Sequence, residues 1–396
     1  MPEVGAKIDR GAQIIIGALF FLSGCGSVVA GDIMVLSYQS IKKIISGAKP
    51  MIKSSVPLED HIQPGSLDLP ISNRCYRISV SSSPENGQSI ERLLERFRLY
   101  DFEIKPDGAL LERGMTYVLP LLVDFELTDN FRAIFSSKST TGRNGLFARN
   151  MSDANSAMDI TIHGYCGKLY VEVSPMRFHT TIYPYMPLTQ ARFVDVSAKQ
   201  LSNEEITILH AEHGIVRDEN GKPSTAVISD GALYLHLNLK GSRAGYESIF
   251  NPEMSVHLGK KEVDDRENFW RPIRLTSYGD TILEPGTFYL LYTNERIFVP
   301  PNVCAFMEDY SASIGEFSSH EAGFFDSNFG VGGGTHGVLE VHPTRMPIRF
   351  WHNRQVCRMV FYKMDEIPEK LYEPATNHYV GAGPSLGKNY KEYWKW

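Results

Sequence analysis

Leu111-Glu112-Arg113-Gly114-Met115-Thr116-Tyr117 returns later in the chain as Leu283-Glu284-Pro285-Gly286-Thr287-Phe288-Tyr289. Further along, Leu169-Tyr170-Val171-Glu172-Val173-Ser174-Pro175 returns as Gly337-Val338-Leu339-Glu340-Val341-His342-Pro343. Order and spacing are kept at an offset of about 170 residues, far beyond the roughly 20–50 residues of solenoid repeats. The pattern is domain duplication. The copies differ where chemistry could sit. The first contains Lys138-Ser139-Thr140-Thr141-Gly142-Arg143, while the second has Asp309-Tyr310-Ser311-Ala312-Ser313-Ile314-Gly315-Glu316 in that region.

Around these repeats the chain is built of short apolar-alternating runs, at 116–122, 168–173, 180–183, 287–292 and 347–351, cut by Gly, Pro, Asn and Asp. Runs of that length and spacing predict a mainly β, antiparallel architecture of sandwich, jelly-roll or barrel type. Polar starts followed by helical apolar spacing predict a few short helices, at 37–45, 89–99 and 202–209. The polar turn Asp218-Glu219-Asn220-Gly221-Lys222-Pro223 marks a connector, 201–231, between a first repeat at 34–200 and a second at 232–396.

With 396 residues there is enough chain for two cores. The balance of 40 Lys+Arg against 46 Asp+Glu argues against a nucleic-acid backbone as partner, yet a local cation cluster could still hold a small anion. Five scattered cysteines without a C-x-x-C pair fit a reducing compartment, and so a cytoplasmic protein, rather than a disulfide or cysteine-rich metal framework. Residues 1–33 carry a conflict: Lys7 and Arg10, an apolar run at 14–22, then Leu22-Ser23-Gly24-Cys25. Taken literally this is a lipoprotein signal that would anchor Cys25 to a membrane. The competing and preferred expectation is that translation starts at Met34, so that 1–33 is not part of the native protein and no membrane is involved.

Ser139, Thr140, Thr141 and Gly142 lie between two cations, Lys138 and Arg143. Hydroxyls and free amides donate to phosphate oxygens, Gly permits close backbone approach, and Arg offers a planar fork. The P-loop spacing is missing, and an ordinary polar turn is the competing explanation. Glu172 and Glu340 sit within strand-like apolar runs, where a carboxylate is either paired structurally or held as a general acid or base. The stretch His320-Glu321-Ala322-Gly323-Phe324-Phe325-Asp326-Ser327-Asn328-Phe329-Gly330 could receive a planar base, and Gly332-Gly333-Gly334 after it reads as a hairpin insertion. The tail Tyr379-Val380-Gly381-Ala382-Gly383-Pro384-Ser385-Leu386-Gly387-Lys388 is either frayed or a lid over a ligand. His210-Ala211-Glu212 matches half of the zinc deaminase signature, but no P-C-x-x-C follows, so no catalytic zinc is expected.

Together these stretches resemble the dCTP deaminase branch of the dUTPase-like superfamily, in its long, internally duplicated bacterial form. Met34-Val35-Leu36-Ser37 with Ile41-Lys42-Lys43 is similar to the family's amino terminus, and Ile62-Gln63-Pro64-Gly65-Ser66-Leu67-Asp68-Leu69 to its first motif. Ser137 to Arg143 resembles its phosphate motif, with Lys138 in place of the first Arg. Gly164-Tyr165-Cys166-Gly167-Lys168-Leu169-Tyr170-Val171-Glu172 resembles the stretch that holds its catalytic glutamate, and 379–388 its nucleotide-closing tail. The resemblance implies two tandem β-clip (distorted jelly-roll) domains, assembled as trimers or pseudo-trimers with nucleotide sites between neighbours. It implies hydrolysis of dCTP to dUTP and ammonia without a catalytic metal, the triphosphate arriving as its magnesium complex, and dTTP as a potential inhibitor. Residues 138–143 would bind the nucleotide, with Tyr170, Val171, Ala322, Asp326, Tyr379 and Lys388. Ser139, Arg143 and a glutamate, Glu172 or Glu340, would carry the chemistry.

The first repeat is irregular before its glutamate, with Met158-Asp159-Ile160-Thr161-Ile162-His163 where the family has a compact base-recognition segment. The second keeps that segment as Ala322-Gly323-Phe324-Phe325-Asp326 but lacks the phosphate-motif Arg. A composite site is therefore expected: residues 138–143 from one repeat, Asp326 and Glu340 from the other, with Glu172 the rival base. The alternatives are dUTP pyrophosphatase activity, alone or coupled to deamination, and a regulatory nucleotide binder with a dead site.

Overall fold

The computed structural model describes residues 34–85, 87–240, 244–309, 317–318, 322–372 and 385–392. The Cys25 signal, Tyr379, residues 310–316, and His320 with Glu321 lie outside the described residues.

The chain is mainly strand with four α-helices among the described residues. Helix α1 (Tyr38–Ser46) starts where the Ser37 side chain accepts from the Ser40 amide, and α2 (Ile90–Phe97) where Ser89 does the same for Arg92. Helix α2 ends two residues before the predicted Leu99, because Arg98–Glu103 is taken up as an edge strand against Arg74–Ile78. Helix α3 (Ser139–Arg143) is a single short turn after the Phe131–Ser137 strand. Helix α4 (Asn203–His213) has a reciprocal Ser202–Glu205 capping box and stops at Gly214, whose φ of 63° is the left-handed cap that glycine adopts freely.

The duplication survives at the level of single hydrogen bonds. In the first half the Thr116–Glu126 strand pairs with Cys166–Pro175, in a register that sets Tyr117 opposite Val173 and Val118 opposite Glu172. In the second half Tyr289–Ile297 pairs with Thr335–Pro343, setting Tyr289 opposite Val341 and Leu290 opposite Glu340. The Glu112 amide donates to the Tyr117 hydroxyl at 3.0 Å, and the Glu284 amide donates to the Tyr289 hydroxyl at 2.8 Å. Both rings are buried, so each turn needs this acceptor to avoid an unpaired amide.

Each half has its own apolar core, one around Leu119, Phe125, Val171 and Phe193, the other around Leu235, Leu291, Leu339 and Phe361. Residues 201–231, expected as a connector, are built into the second half. Leu201, Ile206, Leu209 and Val216 pack in its core, and Val227–Ser229 extends its sheet beside Ala232–His236. The halves also pair directly, as His179–Ile182 runs parallel to Ser255–His257. A mixed cluster of Phe178, Trp270, Phe288 and Tyr390 seals that seam. Among the described residues no helix is long and apolar enough to cross a membrane.

If the two tyrosine-capped turns are equivalent, Tyr117→Phe and Tyr289→Phe should each lower unfolding free energy by about 1 kcal/mol. Urea denaturation of each variant reads this, with equal losses expected.

Candidate active site

Where Phe131–Ser137 ends, the chain turns through Lys138 into α3. The Thr141 hydroxyl donates to the Leu188 carbonyl at 2.8 Å, and the Asn144 side chain donates to the Thr140 carbonyl at 2.7 Å, so the turn is held from both sides. This leaves Lys138, Ser139, Thr140 and Arg143 lining a cavity whose opposite wall is Ala322, Phe324, Asp326, His336 and Glu340. One wall comes from the first half and the other from the second. Of the motif residues, Thr141 faces the protein rather than the cavity.

Gly142 is the point of closest approach. A β-carbon there would lie 2.5 Å from Glu340 Oε2 and 2.6 Å from Oε1, so only glycine lets the carboxylate rest against α3. Glu340 Oε2 accepts the Ala322 amide at 2.8 Å, and the Gly323 amide donates to the Ser136 hydroxyl at 3.0 Å. These bonds stitch the loop after residue 321 to both the glutamate and the phosphate-motif strand.

Lys138, Arg143 and Lys388 gather on one side of the cavity. Lys138 pairs with the buried Asp68, which also accepts from Gln63 at 3.2 Å. Burial, reinforced by Lys138, Lys261 and Arg143, pushes the Lys388 ammonium down to about 8. A cation whose charge is weakened by neighbouring cations favours a polyanion, which relieves that repulsion.

The tail completes this wall. Arg143 Nη1 donates to the Ser385 carbonyl at 2.8 Å and to its hydroxyl at 2.7 Å, across 242 residues. The chain just beyond Ser385 is itself tied down. Asn389 accepts from Asn144 at 2.9 Å and donates to Asp264 at 2.8 Å, while the Tyr390 hydroxyl donates to Asn144 at 2.7 Å. Asn144, Asn389 and Tyr390 are fully buried.

Glu172 is elsewhere. Its strand register matches that of Glu340, yet its carboxylate accepts from the Ser81 hydroxyl at 2.6 Å and the Ser82 amide at 3.3 Å. Burial raises its pKa, with the two serine bonds pulling the other way. Tyr170 and Val171 are buried in cores on that same strand and do not line the cavity; Val338 of the second half does. His210-Ala211-Glu212 lies on α4.

Several lining residues carried no sequence signal of their own. Gln190 accepts from the Ser66 hydroxyl at 3.0 Å. His336 shares its Nδ1 with the Thr293 carbonyl at 2.8 Å, and burial lowers its pKa. Thr335 and Tyr372 complete the set, whereas Ser385, which also lines the cavity, belongs to the tail already singled out in the sequence. Among the described residues no group of three or more His, Cys, Asp or Glu could hold a metal ion.

Gly142→Ala should displace Glu340 by the full van der Waals conflict while leaving exposed surface unchanged. The expected outcome is a loss of turnover of about a hundredfold or more, checked by steady-state rates, with a circular dichroism melt lowered by overpacking that costs about 1–3 kcal/mol.

The family model described as the 2′-deoxycytidine 5′-triphosphate deaminase N-terminal domain matches residues 32–197, and its C-terminal counterpart matches 202–390. A curated relative from Hydrogenobaculum sp. (strain Y04AAS1), named dCTP deaminase, dUMP-forming, is 32% identical over 155 residues, covering 38% of this chain and 77% of its own. One of the same name from Aquifex aeolicus (strain VF5) is 32% identical over 178 residues, covering 44% and 87%. A solved structure, 2′-deoxycytidine 5′-triphosphate deaminase from Agrobacterium tumefaciens, superposes with a TM-score of 0.80 at 32% identity, covering 86% of this chain and 98% of that one.

Proposed function

Since the chain belongs to the 2′-deoxycytidine 5′-triphosphate deaminase family, we propose that dCTP is hydrolysed in the cavity between its two halves, with Glu340 as the proton carrier. The observation that carries this reading is the shared cavity. Lys138, Ser139, Thr140 and Arg143 of the first half face Asp326 and Glu340 of the second.

The triphosphate, with its magnesium, lies against Lys138, Arg143 and Lys388. The cytosine enters between Phe324, Asp326 and Glu340. Glu340 takes a proton from a water held with the help of Ser139, and the resulting hydroxide attacks C4. The proton passes to the ring nitrogen, and a second transfer lets the amine leave as ammonia, so that dCTP and water give dUTP and ammonia. Arg143, oriented by Ser385, stabilises the charge that develops as the ring is attacked. Each half is taken as one β-clip unit of dUTPase-like type, a reading supported by the matched registers around Glu172 and Glu340. On this reading Glu172 has become structural in the copy whose base-recognition segment is irregular.

A second reading adds hydrolysis of dUTP at the α–β phosphoanhydride, with water giving dUMP and pyrophosphate. It is favoured by the activity in the names of the Hydrogenobaculum and Aquifex relatives. One experiment separates these cases: labelled dCTP is turned over and the products resolved by chromatography. dUTP as the final product supports deamination alone, and dUMP with pyrophosphate supports the coupled activity. In the same assay, dTTP reads the expected inhibition, and light scattering reads the expected trimeric or pseudo-trimeric assembly.

Glu340→Gln should lower ammonia release by about 10²–10⁴-fold, with Glu172→Gln close to wild type in rate. Full turnover in Glu340→Gln would remove the reading.

Lys388 gives the pH dependence. Its pKa of about 8 lies below the ordinary lysine value, so the unliganded protein loses this charge as pH rises through 8. Triphosphate affinity is therefore greatest below that pH, and the KM for dCTP should rise between roughly pH 8 and 9.5. Lys388→Arg, which keeps its charge, should flatten the rise. An unchanged slope in that variant would argue against Lys388 as a phosphate ligand.

A further inference from the structure

Arg192 belongs to none of the motifs that mark the site. It lies on the strand Pro187–Asp195, which pairs along its length with Phe131–Ser137 and sets Arg192 opposite Ile134. The same sheet thus carries Arg192 and, a few residues on, the turn into α3. Its side chain crosses to the other half, where it is fully buried. Nη1 donates to the Ala305 carbonyl at 2.8 Å; Nη2 donates to the Phe325 carbonyl at 2.8 Å and to Asp326 Oδ1 at 3.1 Å. The guanidinium packs against an edge-to-face pair of rings, 4.6 Å from the centroid of Phe306 and 4.4 Å from that of Phe324.

We propose that Arg192 is the positioning residue that sets the base-recognition wall of the cavity against the phosphate-binding wall. Phe324 and Asp326, two residues it holds, line the cavity directly. A planar cation suits this task for a geometric reason. Its two terminal nitrogens reach the Ala305 and Phe325 carbonyls and the Asp326 carboxylate together, while its π surface packs on the edge-to-face pair of Phe306 and Phe324. Lysine could supply the charge but neither the fork nor the stacking faces. A buried cation of this kind could instead serve stability alone. The two roles differ in what they predict: a positioning role is felt by the base and not by the phosphates. The inference rests on the composite-site reading, because only there do Phe324 and Asp326 meet a nucleotide gripped by residues 138–143.

The test uses the full chain with Arg192→Lys, Arg192→Met and Phe306→Leu. Two quantities are measured: kcat/KM for ammonia release from dCTP, and the inhibition constant of inorganic tripolyphosphate, which reads the phosphate wall alone. In both Arg192 variants kcat/KM should fall about tenfold or more while tripolyphosphate inhibition stays within about twofold of wild type. Phe306→Leu, which leaves the guanidinium but removes one ring, should fall in the same direction by a smaller factor. Unchanged kcat/KM in Arg192→Lys overturns the inference, as does a parallel loss of tripolyphosphate inhibition in that variant. If Arg192→Met does not fold, Arg192→Lys and Phe306→Leu decide the matter. Full turnover by Glu340→Gln in the same assay would overturn the underlying site reading instead, and that result does not depend on any Arg192 variant.

Discussion

The carboxylate of Glu340 rests on the backbone of Gly142, closer than any β-carbon would permit, and the two residues belong to opposite halves of the chain. Much of the cavity depends on that contact. A carboxyl group buried this deeply requires hydrogen-bond partners, and one is the Ala322 amide, which fixes where the following loop begins. That loop carries Phe324 and Asp326, so the side chains opposite the cation cluster are located by the same carboxylate. At the cavity the seam between halves is therefore polar and geometrically demanding, in contrast to the aromatic cluster of Phe178, Trp270, Phe288 and Tyr390 that seals it elsewhere.

The two copies keep one strand register, yet one glutamate faces the cavity and the other does not. The strand registers have been kept in both copies, because a one-residue slip would turn every core side chain outward. Residues outside those strands are under no such constraint. Ser81 and Ser82 now cover Glu172, giving a buried carboxylate the donors it needs without a ligand. A side chain's surroundings can differ between repeats while the hydrogen-bond ladder stays the same.

What could be read in the sequence divides along the same line. The repeats, their offset and the complementary gaps in the two copies are local features, visible as strings, and they were enough to expect residues 138–143 opposite Asp326 and Glu340. Helix starts at Ser37 and Ser89 were legible because an N-cap acts over three residues. The stop of α2 at Phe97 was not, since it depends on Arg98–Glu103 finding a partner strand. Residues 201–231 look like a polar connector in sequence, yet Leu201, Ile206 and Leu209 are enough to bury one face of α4. Arg192 was illegible for a different reason. Its partner Phe325 lies 133 residues away, and nothing in the neighbouring sequence marks a lone arginine as the bridge. The tail holding Ser385 stands out in the sequence, but its pairing with Arg143, 242 residues away, does not.

The anchoring of residues 385–390 has a consequence for how the protein comes into being. Arg143 and Asn144 emerge from the ribosome long before Ser385, Asn389 and Tyr390, the groups that orient or pair with them. A nascent chain can complete the first core while its phosphate-motif arginine still lacks its tail partner. Residues 385–390 thus act as a keystone, and the surroundings of Arg143 and Asn144 are complete only once that segment has been made.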